Sequence, residues 1–277
     1  MPPRALRRVL IALPLFLSLA ARARAELPAS FTDVVRNSGF IFQGTVKAPG
    51  RSTPTVPAEP RTAIVAVNRI LEAPAALGDV TGREVTVRFR KPGQLKAGES
   101  AVFFTYVYSA GTSLGLDEVG WLSAAEARPA GALESRVRAA RQELADEALA
   151  RRLASAVLVV VGTSGEPRPT EQALGPHDGE HDPLWWAAPI RIESVEKGQP
   201  GNSPAIANFP RSIDILWERS PRLKEGRKGI FLLQPPGPQR WFRTPGLFLV
   251  DPLDLQRPEE LERVRRLLKA PPRAPVP

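Results

Sequence analysis

Apolar residues that alternate with polar ones in short runs predict a chain built mainly from β-strands. Val85, Val87 and Phe89 occupy every second position of one such run, which is typical of a strand with a single buried face. The runs are separated by glycine- and proline-containing turns. They also lack the long helical crossovers of a parallel sheet, and this favours small closed antiparallel barrels.

One part of this pattern recurs 128 residues later without a gap. Residues 83–104, REVTVRFRKPGQLKAGESAVFF, align with residues 211–232, RSIDILWERSPRLKEGRKGIFL. The alignment predicts a strand, a turn at Leu-Lys-x-Gly and a second buried strand in both copies. The positions matched in the first of these strands are Val85, Val87 and Phe89 in one copy and Ile213, Ile215 and Trp217 in the other.

Four further matches follow in the same order along the chain. Phe40 to Thr45 corresponds to Leu158 to Thr163, and the alternating run at Val65, Val67 and Ile70 to that at Ile190, Ile192 and Val195. Gly115-Leu116 corresponds to Gly246-Leu247, and Arg136-Val137-Arg138 to Arg263-Val264-Arg265. We therefore predict two diverged copies of one β-rich unit in tandem, each with a closing helix.

The pattern divides the chain into four parts. We predict a signal peptide at 1–25, a first unit at 26–145, a second unit at 146–270 and a disordered proline-rich tail at 271–277. Ser30 is a suitable N-cap for a short opening helix. The segment 132–156 contains neither Gly nor Pro and predicts one long helix.

The N-terminus has the three-part layout of a signal peptide. A basic stretch with Arg7 and Arg8 precedes an apolar run at 9–20, and the small-residue site Ala23-Arg24-Ala25 predicts cleavage before Glu26. The apolar run is shorter than the about 20 residues that span a bilayer. We therefore expect an exported protein, periplasmic or extracellular, with no membrane span after cleavage. The paired arginines leave the general secretory and twin-arginine routes both open.

Charge and cysteine content narrow the classes of function. The chain has 38 basic and 29 acidic residues, and five arginines leave with the predicted leader, so 33 against 29 gives a mature net charge of +4. This small, scattered excess and the predicted export lead us to expect no nucleic-acid partner. The absence of cysteine excludes disulfides, a thiolate nucleophile and a cysteine-based zinc site.

The order of the signals resembles the netrin-like domain, the OB-type barrel of the tissue inhibitors of metalloproteinases. The resemblance rests on a short helix before an apolar strand, Glu196-Lys197-Gly198 at a strand end, Leu-x-x-Gly before an apolar strand, and a terminal helix. It implies two OB-like antiparallel barrels in tandem. Those inhibitors chelate zinc through an N-terminal cysteine, whereas the mature chain is expected to begin at Glu26, so only the barrel is carried over.

A G-x-S-x-G pattern at 111–115 raises the possibility of a serine nucleophile at Ser113. A nucleophile elbow needs a helix directly after it, but Leu116 to Val119 reads as a strand. We therefore interpret the pattern as a hairpin loop and predict no catalytic residue. The sequence also shows no glycine-rich phosphate loop, and we predict no cofactor.

Two histidines and nearby carboxylates make a weak candidate metal site. His177, Asp178 and His181 lie within five residues in the loop 164–184, and imidazole and carboxylate groups are ligands that Zn²⁺ accepts. The flanking glycines, and the lack of histidine in the corresponding loop 47–61, favour an ordinary solvated loop.

Adjacent tryptophans are the candidate ligand-binding residues. Trp185 and Trp186 lie in a predicted strand, so their side chains point to opposite faces and one ring is open to solvent. Such a ring either stacks on a sugar, fills a pocket of a partner or covers a neighbouring loop. Trp217, in contrast, is predicted to lie in the core.

These features favour an exported, non-catalytic binding protein whose ligand is another protein or a cell-envelope polymer. The loops 47–61 and 164–184 are the expected contact surfaces. Two alternatives stay open: a cysteine-free inhibitor of a secreted metallopeptidase, and a hydrolase that uses Ser113 or the loop metal. The ligand and the oligomeric state do not follow from the sequence.

Overall fold

The computed structural model describes residues 30–171, 181–201, 204–212, 214–238 and 244–270. The predicted signal peptide and the predicted tail lie outside the described residues. The chain divides into two compact units between Ser135 and Arg136, within a long helix. The predicted continuous helix is therefore confirmed.

The first unit is a closed five-stranded barrel preceded by a short helix. Ser30 caps helix α1 by accepting a hydrogen bond from the backbone N–H of Asp33 at 3.2 Å, as predicted. The strand order around the barrel is β1-β2-β3-β5-β4, with β3 and β5 parallel and every other pair antiparallel. The elements are α1 (Phe31–Arg36), β1 (Phe40–Pro49), β2 (Thr62–Glu72), β3 (Glu84–Arg88), β4 (Ser100–Ser109) and β5 (Gly115–Ser123).

Alternation along these strands fills the barrel with apolar side chains. Phe42 stacks on Phe40 and Phe103, with ring centres 4.8 and 5.2 Å apart. On the outer face, Phe31 of α1 meets Phe104 edge to face at 5.8 Å, so the helix covers that side of β4. A strand whose two faces are both apolar needs another element to cover its outer face.

The second unit forms a seven-stranded sheet. Its order is β11-β9-β8-β6-β10-β12, with β7 paired to β8. One isolated bridge links β10 and β11 through two hydrogen bonds between the backbones of Gln234 and Phe248, at 2.9 and 3.0 Å. The elements are α2 (Ala130–Ser155), β6 (Leu158–Ser164), β7 (Arg168–Pro169), β8 (Trp185–Lys197), β9 (Ala205–Pro210), β10 (Lys228–Leu233), β11 (Leu247–Phe248), β12 (Leu255–Gln256) and α3 (Leu261–Lys269).

Strand registers in the two units correspond residue by residue around the matched glycines Gly44 and Gly162. Gly44 lies opposite Ala101 and Val67, and Gly162 lies opposite Gly229 and Ile192. In each unit the register of the first strand shifts immediately before the glycine. It also shifts between the residues that lie three and two positions before the glycine. If the two-residue strand β7 is left out of the count, the third strand of each unit pairs in parallel with the strand that begins at the matched Gly-Leu dipeptide.

A close approach of two strands explains the glycine in each first strand. A Cβ placed on Gly44 would lie 2.7 Å from Cγ1 of Val65 and 2.8 Å from the carbonyl oxygen of Ala66. A Cβ on Gly162 would clash with the carbonyl oxygen of Arg191 and come within 3.1 Å of Ile190. Only glycine allows the neighbouring strand to cross at this distance.

One predicted strand is wrong. The ungapped alignment placed a strand at 211–217, but residues 215–219 form a turn and the third strand of the second unit is β9, which ends at Pro210. Ile213 lies outside the described residues, and Ile215 is exposed rather than buried. The alignment failed because the connection before β10 is longer than the corresponding connection before β4 in the first unit. The apolar residues of the turn in this connection also alternate as they would in a strand. Trp217 is nevertheless buried, as predicted.

The second unit ends its sheet with two short strands, β11 and β12, where the first unit has one strand. Strand β5 runs unbroken beside β4, whereas β11 and β12 flank six residues that include a 3₁₀ turn at Pro252–Asp254. Asp254 is fully buried there and accepts hydrogen bonds from the guanidinium of Arg152 at 2.7 to 2.8 Å and from Gln234 at 3.1 Å. Its carboxylate also accepts the backbone N–H groups of Val250 and Asp251 at 2.9 Å. Side-chain bonds thus replace part of the strand ladder.

Helices cover the outer face of the second sheet. Leu149 and Leu153 of α2 and Val264 of α3 are buried against Ile230 and Leu232 of β10. Lys197 caps the end of α2 by donating hydrogen bonds to two backbone carbonyls at 2.7 and 2.9 Å. Across the described ranges, no helix is both long and apolar enough to cross a bilayer.

The close strand crossing gives a test of the fold. We predict that Gly44→Ala and Gly162→Ala each lower the free energy of unfolding by about 1–3 kcal/mol, because the added methyl group has no space. Gly39→Ala is the matched control, since its Cβ would meet nothing within 4 Å. Urea denaturation followed by circular dichroism measures the effect. Equal unfolding midpoints for all three variants would contradict the close approach.

Candidate functional site

Four side chains form a fixed cluster on the surface of the first barrel, which we name the tyrosine–arginine patch: Arg88, Tyr106, Tyr108 and Asp117. Arg88 at the end of β3 donates two hydrogen bonds to the carboxylate of Asp117 on β5, one of them from Nη2 to Oδ2 at 2.6 Å. The hydroxyl of Tyr106 on β4 donates to the same Oδ2 at 2.7 Å. One carboxylate therefore holds three strands' side chains in place.

Tyr108 is held by packing rather than by a hydroxyl bond. The guanidinium of Arg88 lies 4.4 Å from the centre of its ring, a cation–π distance. Its ring also occupies the space above Gly115, where an added Cβ would lie 2.7 Å from the ring. Tyr106 and Tyr108 are 46% and 36% exposed, so the patch presents two immobilised aromatic rings to solvent.

The charges of the patch are paired within it. Burial would raise the pKa of Asp117, but the hydrogen bonds from Arg88 and Tyr106 outweigh burial and the pKa is lowered. The hydrogen bond to Asp117 also raises the pKa of the Tyr106 hydroxyl. Glu59 lies 3.8 Å from Arg88 and is bonded to Arg61 at 2.8 Å. At neutral pH the cluster is ionised, paired and nearly neutral in sum.

The patch lies where two loops of the barrel meet. Arg88 pairs with Thr62, the first residue of β2, so the loop 50–61 leads directly to it. Tyr108 and Gly115 flank the loop 110–114 that joins β4 to β5. Loops carried on a rigid barrel commonly contribute to binding surfaces.

A second pair of an aromatic ring and an arginine lies at the corresponding end of the second unit. Arg211 lies 4.3 Å above the ring of Trp186, next to the paired residues Trp185 and Pro210. Trp185 begins strand β8 and Pro210 ends strand β9. In the first unit, Thr62 at the start of β2 and Arg88 at the end of β3 form the corresponding pair. Trp186 is half-buried.

The two predicted tryptophans differ in their surroundings. Trp185 is fully buried, with its ring 5.9 Å from Trp217 and 4.9 Å from Phe248, so it belongs to the core and does not face a ligand. Trp186 points to the other face, as strand alternation requires. Of the predicted pair, only Trp186 presents a surface that a ligand can reach.

Ser113 lies in the loop between β4 and β5 and is followed by strand β5. The interpretation of the G-x-S-x-G pattern as a hairpin loop is therefore confirmed. The side chain is 8% exposed, and the segment has none of the strand-to-helix geometry of a nucleophile elbow.

His177 and Asp178 lie outside the described residues. Nδ1 of His181 is 2.7 Å from Oδ2 of Asp214, and this hydrogen bond lowers the pKa of Asp214. Within the described part of the chain, no three histidine, aspartate or glutamate side chains come together as a metal site. The metal site at the loop thus stays a prediction.

Neighbouring carboxyl groups on β5 have opposite pKa shifts but do not form an acid–base pair. Burial raises the pKa of Glu118, which accepts a hydrogen bond from the backbone N–H of Arg90 at 2.9 Å. Asp117, whose pKa is lowered, precedes it in the strand. Adjacent strand residues face opposite sides, so the two groups act on different surfaces.

Sequence reasoning missed the tyrosine–arginine patch, although a signal was present. Tyr106 and Tyr108 are the only tyrosines of the chain and stand two residues apart at the end of a buried apolar run. That spacing places both rings on one face of a strand. The partner Asp117 could not be found without knowing that β4 and β5 pair at this register.

Comparison with known proteins gives little. No family model matches the chain. No curated protein matches it. A solved structure, "Crystal structure of Ifi202 HINa domain in complex with 20bp dsDNA", is similar over 76% of this chain and 92% of that one, with 11% identity and a TM-score of 0.21. This likeness is too weak to support an argument about fold or activity.

The comparison nevertheless corrects one prediction. We expected no nucleic-acid partner, and that exclusion is wrong as it was drawn, because the matched domain is bound to double-stranded DNA. The sequence argument used a small net charge, which does not decide whether a barrel binds nucleic acid. DNA binding is a property of the matched domain and is not thereby assigned to this chain.

The paired carboxylate predicts a pH effect on stability. The pKa of Asp117 is lowered in the folded state, so its contribution is complete above the unfolded value of about 4 and is lost as the pH falls through the folded value. We predict that Asp117→Asn unfolds at lower urea than the wild type at pH 7, and that the difference shrinks in acid. Glu84→Gln, at an exposed carboxylate of β3, is the control. A difference that grows in acid would contradict the pairing.

Proposed function

We propose that this chain is an exported, non-catalytic binding protein made of two OB-like barrels in tandem, which contacts its ligand through the tyrosine–arginine patch. The first unit supports the barrel type, since its order β1-β2-β3-β5-β4 with one parallel pair is consistent with an OB-like fold. The proposal treats the second unit as a diverged copy whose last strand has been split.

The matched strand registers support the tandem arrangement. Gly44 and Gly162 occupy the same place in their ladders, and the strand that crosses each glycine leaves no room for a side chain. The bridge between Gln234 and Phe248 lies at the position that Tyr106 and Asp117 occupy in the first barrel, counted from the matched residues. The shared glycine, the two shared register shifts and the shared parallel pair support a common origin of the two units.

The observation that carries the binding role is the exposure of two aromatic rings on a rigid frame. Exposed aromatic rings that are already fixed lose little conformational entropy on binding and add a large contact area. Arg88 and Asp117 satisfy each other, so the patch offers rings rather than a free acid, base or nucleophile. Such a surface suits the binding of a neutral ring or chain of a polymer better than it suits the catalysis of hydrolysis.

The kind of ligand follows from the same geometry. OB-type barrels bind oligonucleotides and oligosaccharides through the face of strands 2 and 3 and the loops that follow strands 1 and 4. The patch lies beside these two loops. For an exported protein, a sugar polymer of the cell envelope or an exposed segment of another protein is the ligand we propose. The resemblance to the netrin-like domain contributes the barrel to this proposal and no inhibitory residue.

The test is retention of the full chain on immobilised envelope polymers, with peptidoglycan, a neutral polysaccharide and an acidic polysaccharide as separate probes. Replacing both rings, Tyr106→Ala with Tyr108→Ala, is expected to weaken retention by about tenfold or more, because each lost stacking contact contributes on the order of 1 kcal/mol. The control is Val195→Ala with Ile206→Ala, since these side chains are 39% and 41% exposed elsewhere.

Two results would contradict this proposal. The chain could fail to bind every polymer and every envelope protein, or the double tyrosine variant could bind as the wild type does. Inhibition of secreted zinc peptidases, or hydrolysis lost in Ser113→Ala, would instead favour the alternatives. A single-stranded oligonucleotide included as a probe tests nucleic acid directly. Thermal unfolding of each variant shows whether the barrel is intact.

A further inference from the structure

A short turn in the second unit exposes two large aliphatic side chains to solvent. Ile215 is 79% exposed and Leu216 is 58% exposed, the two highest values for large apolar side chains in the described ranges. Both lie in the turn 214–219, which we name the apolar turn. Leu184 is 37% exposed, and its carbonyl oxygen accepts the backbone N–H of Arg211 at 2.8 Å, close to this turn in the chain.

The apolar turn is held in one conformation from beneath. The carboxylate of Asp214 accepts the backbone N–H of Leu216 at 2.8 Å and contacts His181 at 2.7 Å. Trp217 is buried, packs on Trp185, and donates its indole N–H to the carbonyl of His181 at 2.9 Å. The exposure of the two aliphatic side chains is therefore built into the fold.

Cationic side chains border the apolar turn. Arg219 lies within it, Arg211 stacks on Trp186, and Arg222 donates to the carbonyl of Ser212 at 2.9 Å. The acidic groups are Asp214 and Glu218 in the turn and Asp182 beside His181, and Asp214 faces His181. In the chain the two aliphatic residues therefore lie between Arg211 and Arg219, and Arg211 stacks on the half-buried Trp186.

We propose that the apolar turn binds the surface of an anionic lipid bilayer, with Ile215 and Leu216 inserted at the boundary of headgroups and acyl chains. Aliphatic side chains gain by leaving water, and nearby arginines are attracted to the phosphates of acidic lipids. A tryptophan beside them suits the headgroup region, where its ring has an apolar body and a polar edge.

The shape and charge of the turn favour a bilayer over a groove in a partner protein. A two-residue tip offers little area for a stable protein interface, which buries about 800 Å² on each partner. A membrane accepts such a tip without a matching pocket, and it supplies the negative charge that the arginines require. The apolar turn shares no residue with the tyrosine–arginine patch, so the inference does not depend on the ligand proposed there.

The experiment is sedimentation of the full chain with vesicles of phosphatidylcholine alone and with vesicles of equal parts phosphatidylcholine and phosphatidylglycerol. The variant Ile215→Ser with Leu216→Ser is compared with Val195→Ser with Ile206→Ser, which makes the same chemical change at residues 39% and 41% exposed. All proteins carry the same N-terminal apolar run, so its contribution cancels in the comparison.

We expect the turn variant to bind the phosphatidylglycerol vesicles about tenfold or more weakly than the strand variant does. Added salt should weaken the wild type, because it screens the arginines. Equal binding by the two variants, or equal binding of the wild type to both kinds of vesicle, overturns the proposal. A change in self-association of the turn variant with unchanged vesicle binding also overturns it, since the turn would then be a protein contact.

Discussion

The close crossing of the first and second strands of each unit is the constraint on which the rest of the structure depends. At Gly44 and Gly162 the neighbouring strand passes so near that no side chain fits. The irregular register beside each glycine then determines which residues of the strand face inward. Phe42 with Phe103, and Val160 with Phe231, become opposite pairs on that basis. A one-residue slip would move these apolar sets to the other face.

From this shared register the two units differ at the strand that completes the sheet. In the first, β5 continues unbroken beside β4, and its residue Asp117 orients Arg88 and Tyr106 on the outside. In the second, a buried carboxylate, Asp254, is bonded to Arg152 where ladder bonds would otherwise run. The first unit thus presents fixed aromatic rings, while in the second unit the two most exposed large apolar side chains lie on a turn.

Much of the strand pattern was predictable, because alternation and turn glycines are local signals. The opening helix, the long helix, the Gly-Leu register and the hairpin loop at Ser113 all follow from neighbouring residues. The strand at 211–217 was wrong because an apolar turn copies period-two spacing, and only the length of the connection before β10 distinguishes the two. The tyrosine–arginine patch depends on which residues of β3, β4 and β5 meet, and a single sequence does not contain that information. The burial of Trp185 could not be predicted for the same reason, since it depends on Phe248 from a strand that is distant in the chain.

Interstrand nuclear Overhauser effects in the full chain test the common register most directly. The account predicts contacts between Phe42 and Phe103 and between Val160 and Phe231, together with contacts between the backbones of Gln234 and Phe248. Contacts displaced by one residue in either unit would contradict it. So would contacts that pair β6 with a strand of the first unit, since the two halves would then share a sheet instead of repeating one arrangement.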